Sequence, residues 1–533
     1  MIASIRLRQR IPNLELIVYE KNDDIGGTWL ENRYPGCACD IPAHTYQATF
    51  EPNKEWSTFY AAAPEIHAYW KRVAHKYGCM KYVKLKRQVV EAAWDGEESR
   101  WALQIKDLET GSVYPHQCNI LISATGALNN WKWPDIPGLG DFQGKLMHSA
   151  RWDEGYDYTD KRVAVIGNGS SGIQIVPGLL PKVAHLDHYI RGRTWIAPTI
   201  AREEVDKRGA ELGNFSFTRG EIETFKQDHQ AYQRFRKGIE LQLQSVHNAT
   251  IRGTPEQLEA RDVFAQIMRK RLSKKPELFD QLLPSFPPFC RRLTPGPGYL
   301  EALTDEKVDV ITSDIVKVKE DGIVTADGIH HPTDVLVCAT GFDTTFSPRF
   351  PVLGHGGLSL SERWGKTPET YLSLAVDDFP NYFICLGPNA GLGDGNLLGS
   401  MEKAIDYITA CVQKIQRDNI RAMSPKREAV DRFTKYCDQY FSRTVFSEKC
   451  RSWYKGGTED GRVTALWPGS SLHSMQVLSH PRWEDFTYEY VHDNPNGWIG
   501  DGCTKDERNK TIEVDYLDDE QVDFPEAVTQ DWL

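Results

Sequence analysis

An α/β chain with two Rossmann-like units and a helical insert is expected from three features of this sequence. The apolar run Val163-Ala-Val-Ile166 feeds Gly167-Asn168-Gly169-Ser170-Ser171-Gly172 and then the helical pattern Ile173-Gln-Ile-Val176. A second strand pattern, Leu14-Glu-Leu-Ile-Val-Tyr-Glu20, ends in an acid, as the second strand of such a unit does. Between about 201 and 275 the composition turns polar and the periodicity helical, which marks an insert rather than sheet.

In chain order, residues 1–131 form the first part of the first unit. Ile2 to Ile11 reads as the tail of a helix, and Leu14 to Glu20 as a strand whose terminal carboxylate would hold an adenosine ribose. Val89 to Trp94 and Trp101 to Ile105 read as hairpin-like strands. Trp133-Pro134-Asp-Ile-Pro137-Gly138 is a linker into the second unit, residues 132–335, and the prolines from Pro284 to Pro288 close the insert. Strands at Val308–Ile311 and Val335–Cys338 lead back to the first unit over residues 336–450. Residues 451–533 form an aromatic and acidic extension.

The glycine turn has a direct physical reading. Gly167 allows the tight turn, Gly169 lets the backbone approach a pyrophosphate, and Gly172 lets helix and strand pack closely. Asn168, Ser170, Ser171 and Ile173 complete the turn and the start of the helix, whose free N–H groups and dipole suit phosphate oxygens. The next strand, Leu186-Asp-His-Tyr-Ile190, ends in Arg191-Gly-Arg193-Thr194 where an NAD enzyme places an acid. Arg193 and Thr194 therefore point to the 2′-phosphate of NADPH, which a planar, permanently charged guanidinium can grip in a fork.

Composition narrows the partners. A chain of 533 residues with 40% hydrophobic content can bury several cores. The net charge of -11 argues against a nucleic-acid partner, because there is no broad basic stripe to release counterions. The short basic runs Arg269–Arg271 and Lys274-Lys275 read as a solvated helical face. The eleven cysteines are scattered, with Cys37 and Cys39 the only close pair, so neither a disulfide scaffold nor a metal site is expected. No apolar run approaches the ~20 residues needed to span a bilayer. A cytoplasmic location is expected.

Phe142-Gln-Gly144-Lys-Leu-Met-His148-Ser-Ala-Arg-Trp152-Asp153 resembles the fingerprint of the flavin-dependent Baeyer–Villiger monooxygenases. The likeness continues in order through Gly26-Gly27-Thr28-Trp29, Asn32–Gly36, Cys39-Asp40-Ile41, Ala124-Thr125-Gly126, Arg291-Arg292, Ala339–Asp343 and Ser452-Trp453-Tyr454. The resemblance implies FAD in the first unit, NADPH in the second, and O2 and a bulky ketone as substrates. A C4a-peroxyflavin would then insert one oxygen atom beside the carbonyl to give an ester or lactone. It implies Arg292 as the catalytic arginine with Asp40 as its partner. Thr28, Trp29, Leu30, Glu31, Ala38, Cys39, Asp40 and Tyr46 would lie along the cofactors, with Glu20 on the FAD ribose. Gly387-Pro388-Asn389 and Gly391–Asn396 would bring a loop and a helix N-terminus to the flavin. His148 is assigned to interdomain movement rather than to proton transfer.

In this family a first glycine turn for FAD precedes the acid at Glu20 by about 20 residues, and no such turn stands there. The sequence is expected to start inside the βαβ unit of a longer, active enzyme. A genuine start would instead leave a non-catalytic, NADPH-binding remnant. Nitrogen or sulfur oxygenation is the other alternative, although Trp152-Asp153 favours ketones. The insert and the extension point to secondary-metabolite biosynthesis.

Overall fold

A parallel sheet buried on both faces organises the second unit. The structure is a computed structural model and describes residues 1–210, 212–494 and 496–524. Five parallel strands run in the order Val308–Ile311, His185–Tyr189, Arg162–Ile166, Val335–Cys338, Lys145–His148. Val163, Val165, Val335 and Val337 fill its centre and are buried, as β-branched residues are in a sheet covered on both sides. The helix Ser170–Leu179 covers one face. A three-stranded antiparallel sheet, Ile315–Lys319, Gly322–Thr325 and His330–Pro332, covers the other.

The first unit carries two short parallel pairs, Val18–Tyr19 with Val83–Lys84 and Leu121–Ser123 with Tyr382–Ile384. Among the described residues no strand joins these two pairs. The strand expected over Leu14 to Glu20 is present only as Val18–Tyr19, the two residues that pair with Val83–Lys84. The expected helix is present as Ile2–Arg10. It lies along the 21-residue helix Leu397–Arg417, with Arg10 Nη1 at 2.8 Å from Asp406 and the Arg10 carbonyl accepting from Gln413 at 3.0 Å. The hairpin forms as Arg87–Asp95 and Arg100–Asp107.

The insert is helical over Arg202–Asp206, Arg219–Gln227, His229–Ser245 and Pro255–Arg271. Helical structure continues past residue 275 through Glu277–Leu282. Thr218, Asp228 and Thr254 start three of these helices by accepting a backbone N–H with their side chains. Phe217, Phe225, Tyr232 and Phe235 surround the buried His44 ring, fastening the insert to the first unit.

Long-range contacts overturn one expectation and add one feature that the sequence did not show. Arg271 is not part of a solvated face: its guanidinium forks onto Glu301 at 2.7 and 2.9 Å and donates to the Pro295 and Gly296 carbonyls. Cys290 and Cys450, 160 residues apart, form a disulfide. Its partners could not be paired from spacing, because the fold alone brings them together.

The two units meet where Tyr34 to Ala38 docks on the helix Ser170–Leu179. Tyr34 donates to the Gln174 side-chain oxygen at 2.9 Å, and Gln174 Nε2 donates to the Ala38 carbonyl at 2.9 Å. Gly36 has φ +79, and a Cβ there would run into the Gln174 carbonyl. Gly111, with φ +77, faces open space and isolates the backbone cost. Gly36→Ala is expected to lose about 1–3 kcal/mol more stability than Gly111→Ala, from overpacking at the seam. Equal losses in urea unfolding would show that this loop is not docked.

Candidate active site

The Arg292 guanidinium and the Asp40 carboxylate meet at the seam between the units. Nη2 lies 2.5 Å from Oδ1 and Nε 3.2 Å from Oδ2, a two-bond fork across 252 residues. The fork fixes the plane of the guanidinium as well as its charge. Asp40 holds the Arg292 pKa well above its ordinary value, against the opposing effect of burial. Asp40 is presented by the chain around Cys39, whose N–H donates to the Ala61 carbonyl at 3.0 Å. Arg292 is presented by the loop from Cys290 to Thr294, pinned where the Thr294 carbonyl accepts from Ala197 at 3.0 Å.

Around this pair, Trp29 and Tyr46 pack edge to face at 5.6 Å. Burial pushes up the pKa of the Tyr46 hydroxyl and of the Cys39 thiol. Tyr454, not singled out as a site residue in the sequence, is buried here too. Its hydroxyl is pushed up to about 12 by burial, with the Arg292 charge pulling the other way. Gln174 is the second such residue. It sits one turn into a helix whose pattern gives no hint that its amide would bridge two units.

Other expected site residues lie further out. Glu20 accepts the Asn22 N–H at 2.9 Å, and burial raises its carboxyl pKa. Glu31 takes Lys21 at 3.0 Å and the Asn22 amide at 3.0 Å. Thr28 opens the short helix Thr28–Glu31, Leu30 turns into the core, and Ala38 is half-buried. Asn396 caps the helix Leu397–Arg417 and donates to the Thr45 carbonyl at 3.2 Å, placing that helix N-terminus beside Tyr46.

The glycine turn has the geometry its pattern implies. Gly167 has φ +107 and backs onto the Ala339 carbonyl, while a Cβ at Gly172 would overlap the Gly167 carbonyl. A Cβ at Gly169 would meet nothing within 4 Å, so that stretch of backbone is open to a ligand. Gly169 is also the N-cap and brings no side chain, so the first amides of the helix are not capped by one. Asn168 donates to the Gly192 carbonyl at 2.7 Å, tying the turn to the Arg191–Thr194 segment, and Ser170 lies 3.2 Å from Thr294. Ser171 is half-buried and Ile173 is in the core. Arg193 is exposed, donates to the Leu283 carbonyl at 3.1 Å, and precedes the half-buried Thr194.

A profile described as an NAD(P)-binding Rossmann-like domain matches residues 1–63. The FAD-binding monooxygenase moxY of Dothistroma septosporum is 37% identical over 522 residues, 97% of this chain and 82% of that protein. A Baeyer–Villiger monooxygenase of Streptomyces coelicolor is 34% identical over 479 residues, 88% of this chain and 86% of that one. The chain belongs to the Baeyer–Villiger family of FAD-binding monooxygenases. Cyclohexanone monooxygenase from Rhodococcus sp. Phi1, bound to NADP+, superposes with a TM-score of 0.78 at 26% identity, covering 92% of this chain and 97% of that one.

The Baeyer–Villiger fingerprint lies at the joint between the units. Its histidine, His148, is fully buried, stacked on Trp131 at 4.6 Å with Trp133 edge-on at 5.8 Å. Nδ1 accepts the Ala150 N–H at 3.1 Å, which leaves the proton on Nε2, 3.4 Å from Thr340 Oγ1. Burial pushes its pKa down to about 4. Such a ring stays neutral through the working range and braces linker strand to return strand. Trp152 packs edge-on to Tyr158 at 6.2 Å, and Asp153 pairs with Lys145.

Histidine-selective NMR is expected to place the His148 midpoint near 4, with the Nε2–H form held above it. The unfolded chain takes up this proton near pH 6.5 and the folded one does not, so the contribution to stability is complete above 6.5 and is lost as pH falls towards 4. A midpoint at the ordinary histidine value would mean that the ring is open to water.

Proposed function

We propose that this monooxygenase performs a Baeyer–Villiger oxidation, converting a bulky ketone of secondary metabolism to an ester or lactone. The single observation that carries the reading is the Asp40–Arg292 fork at the seam between the two units. FAD, reduced by NADPH, supplies the oxygen-transfer chemistry when both are bound. The residues present fit NADPH and the flavin side of FAD. The open backbone at Gly169 and the uncapped helix amides suit a pyrophosphate, and Arg193 suits a 2′-phosphate. Trp29, Tyr46 and the backbone at Gly27, where a Cβ would meet nothing within 4 Å, suit the flavin side.

The chain's own part is charge and position. Asp40 occupies Nε and one Nη2 hydrogen of Arg292, and Nη1 makes no hydrogen bond among the described residues. Nη1 can therefore donate to the ketone oxygen as negative charge builds on it. A pre-aimed donor acts there without a proton equilibrium of its own. Asp40 is a positioning residue in this scheme: it acts through Arg292. Similarity over 88% of the chain to a Baeyer–Villiger monooxygenase supports the reaction class, and among the described residues no helix is long and apolar enough to cross a membrane.

The test has two stages. Incubated with FAD and given NADPH without oxygen, the chain is expected to retain flavin whose visible absorbance bleaches, and a chain that retains no flavin overturns the reading. With oxygen and a ketone panel, Arg292→Ala is expected to keep the bleaching but lower ester formation by about 10²–10³-fold, the usual cost of one pre-aimed oxyanion donor. Arg292→Lys, which cannot fork onto Asp40, should recover only part of it. Ester formation at the wild-type rate in Arg292→Ala would remove the arginine from the chemistry.

A further inference from the structure

Beyond the Asp40–Arg292 seam, a second charge-dense site stands behind Arg292. Arg191, Arg193, Arg291, Lys449 and Arg451 line an open cleft of about 640 Å³, with Glu459 the one acid on its wall. None of the five cations forms an ion pair with a carboxylate among the described residues. Like charges are held together instead. Burial, then the charges of Arg451 and Arg191, push the Arg291 pKa down. The Arg291 guanidinium carbon lies over the Phe286 ring, 4.8 Å from its centre, and Arg291 donates to the Arg193 carbonyl at 2.9 Å, while its Nε is buried without a partner. Unpaired guanidiniums packed against one another cost stability unless a multiply charged anion joins them.

Two of these arginines owe their proximity to one covalent link. Arg291 follows Cys290 and Arg451 follows Cys450, and the two cysteines form the disulfide. Arg451 is further fixed by donating from Nε to the Gly457 carbonyl at 2.9 Å, inside a turn closed by Gly457 N–H to the Ser452 carbonyl at 3.0 Å. The cleft opens at the end of the strand His185–Tyr189, the position at which a Rossmann unit meets the ribose 2′-substituent. A 2′-phosphate monoester carries nearly two negative charges at neutral pH.

We propose that Arg451 is a specificity-determining contact to the 2′-phosphate of NADPH, and that the Cys290–Cys450 disulfide is the positioning element that holds it beside Arg291. The proposal rests on the NADPH reading above. It adds that the segment after Cys450, which belongs to neither glycine turn nor strand end, completes the nucleotide site.

Calorimetric titration of the full chain with NADP+, NAD+ and inorganic phosphate tests this without reference to turnover. Arg451→Ala is expected to weaken NADP+ about tenfold, the loss of one charge-assisted fork, and to leave NAD+ unchanged. Cys450→Ser and Cys290→Ser should each shift NADP+ in the same direction and leave NAD+ alone. Arg193→Ala serves as the comparison at the strand end. If Arg451→Ala binds NADP+ as the wild type does while Arg193→Ala does not, or if it weakens both nucleotides equally, the proposal is overturned. So is it if inorganic phosphate binds as tightly as NADP+, since the cleft would then be a general anion site. Unchanged NADP+ binding in both serine variants overturns the role of the disulfide. A wild-type chain that does not prefer NADP+ to NAD+ overturns the NADPH reading itself.

Discussion

A carboxylate and a guanidinium 252 residues apart hold this site together. Asp40 and Arg292 share two hydrogen bonds in a half-dry cleft. Removing either partner would leave the other charge without its counterion, so both supporting segments have to be held. The structure holds them by different means. Asp40 follows a loop pressed against the helix Ser170–Leu179 by Gly36 and stitched there by Gln174. Arg292 follows a disulfide and precedes a backbone bond to Ala197.

Charge and neutrality are kept apart along this seam. Arg292 is a permanent cation whose geometry is set by a carboxylate, whereas His148, a few elements away, is kept uncharged by two tryptophans and by a backbone N–H that occupies Nδ1. Each makes the other's role simpler. A histidine that titrated at the joint would make the packing of the units depend on pH, and an arginine without Asp40 would be free to swing. The cationic cleft lies on the far side of the Arg292 loop, next to the strand that ends in Arg193. Two adjacent residues of one loop thus serve the two places, Arg291 lining the cleft and Arg292 meeting Asp40.

Local sequence determined much of this. The turn from Gly167 to Gly172, the strands Val308–Ile311 and Val335–Cys338, the helical insert and the hairpin all depend on neighbours within about a dozen residues, so their patterns are written in contiguous stretches. The Asp40–Arg292 pairing also came from the sequence, through an ordered family resemblance and not through periodicity. Where the reading shortened or failed, the missing information lay far along the chain. The strand before Glu20 reduces to Val18–Tyr19, where it pairs with Val83–Lys84, and Arg271 leaves the solvent for Glu301.

Only the tertiary structure decided the rest. Cys290 meets Cys450 across 160 residues, Gln174 reaches Ala38 across 136, and five cations from three segments converge on one cleft. Nothing in the residues flanking any of these positions encodes its partner. The sequence by itself determines where hydrogen-bonded turns, strands and helices form, because those are settled by backbone geometry and by apolar spacing over short distances. Which side chains face one another across the seam is settled by how the finished elements pack, and that is a property of the whole buried surface.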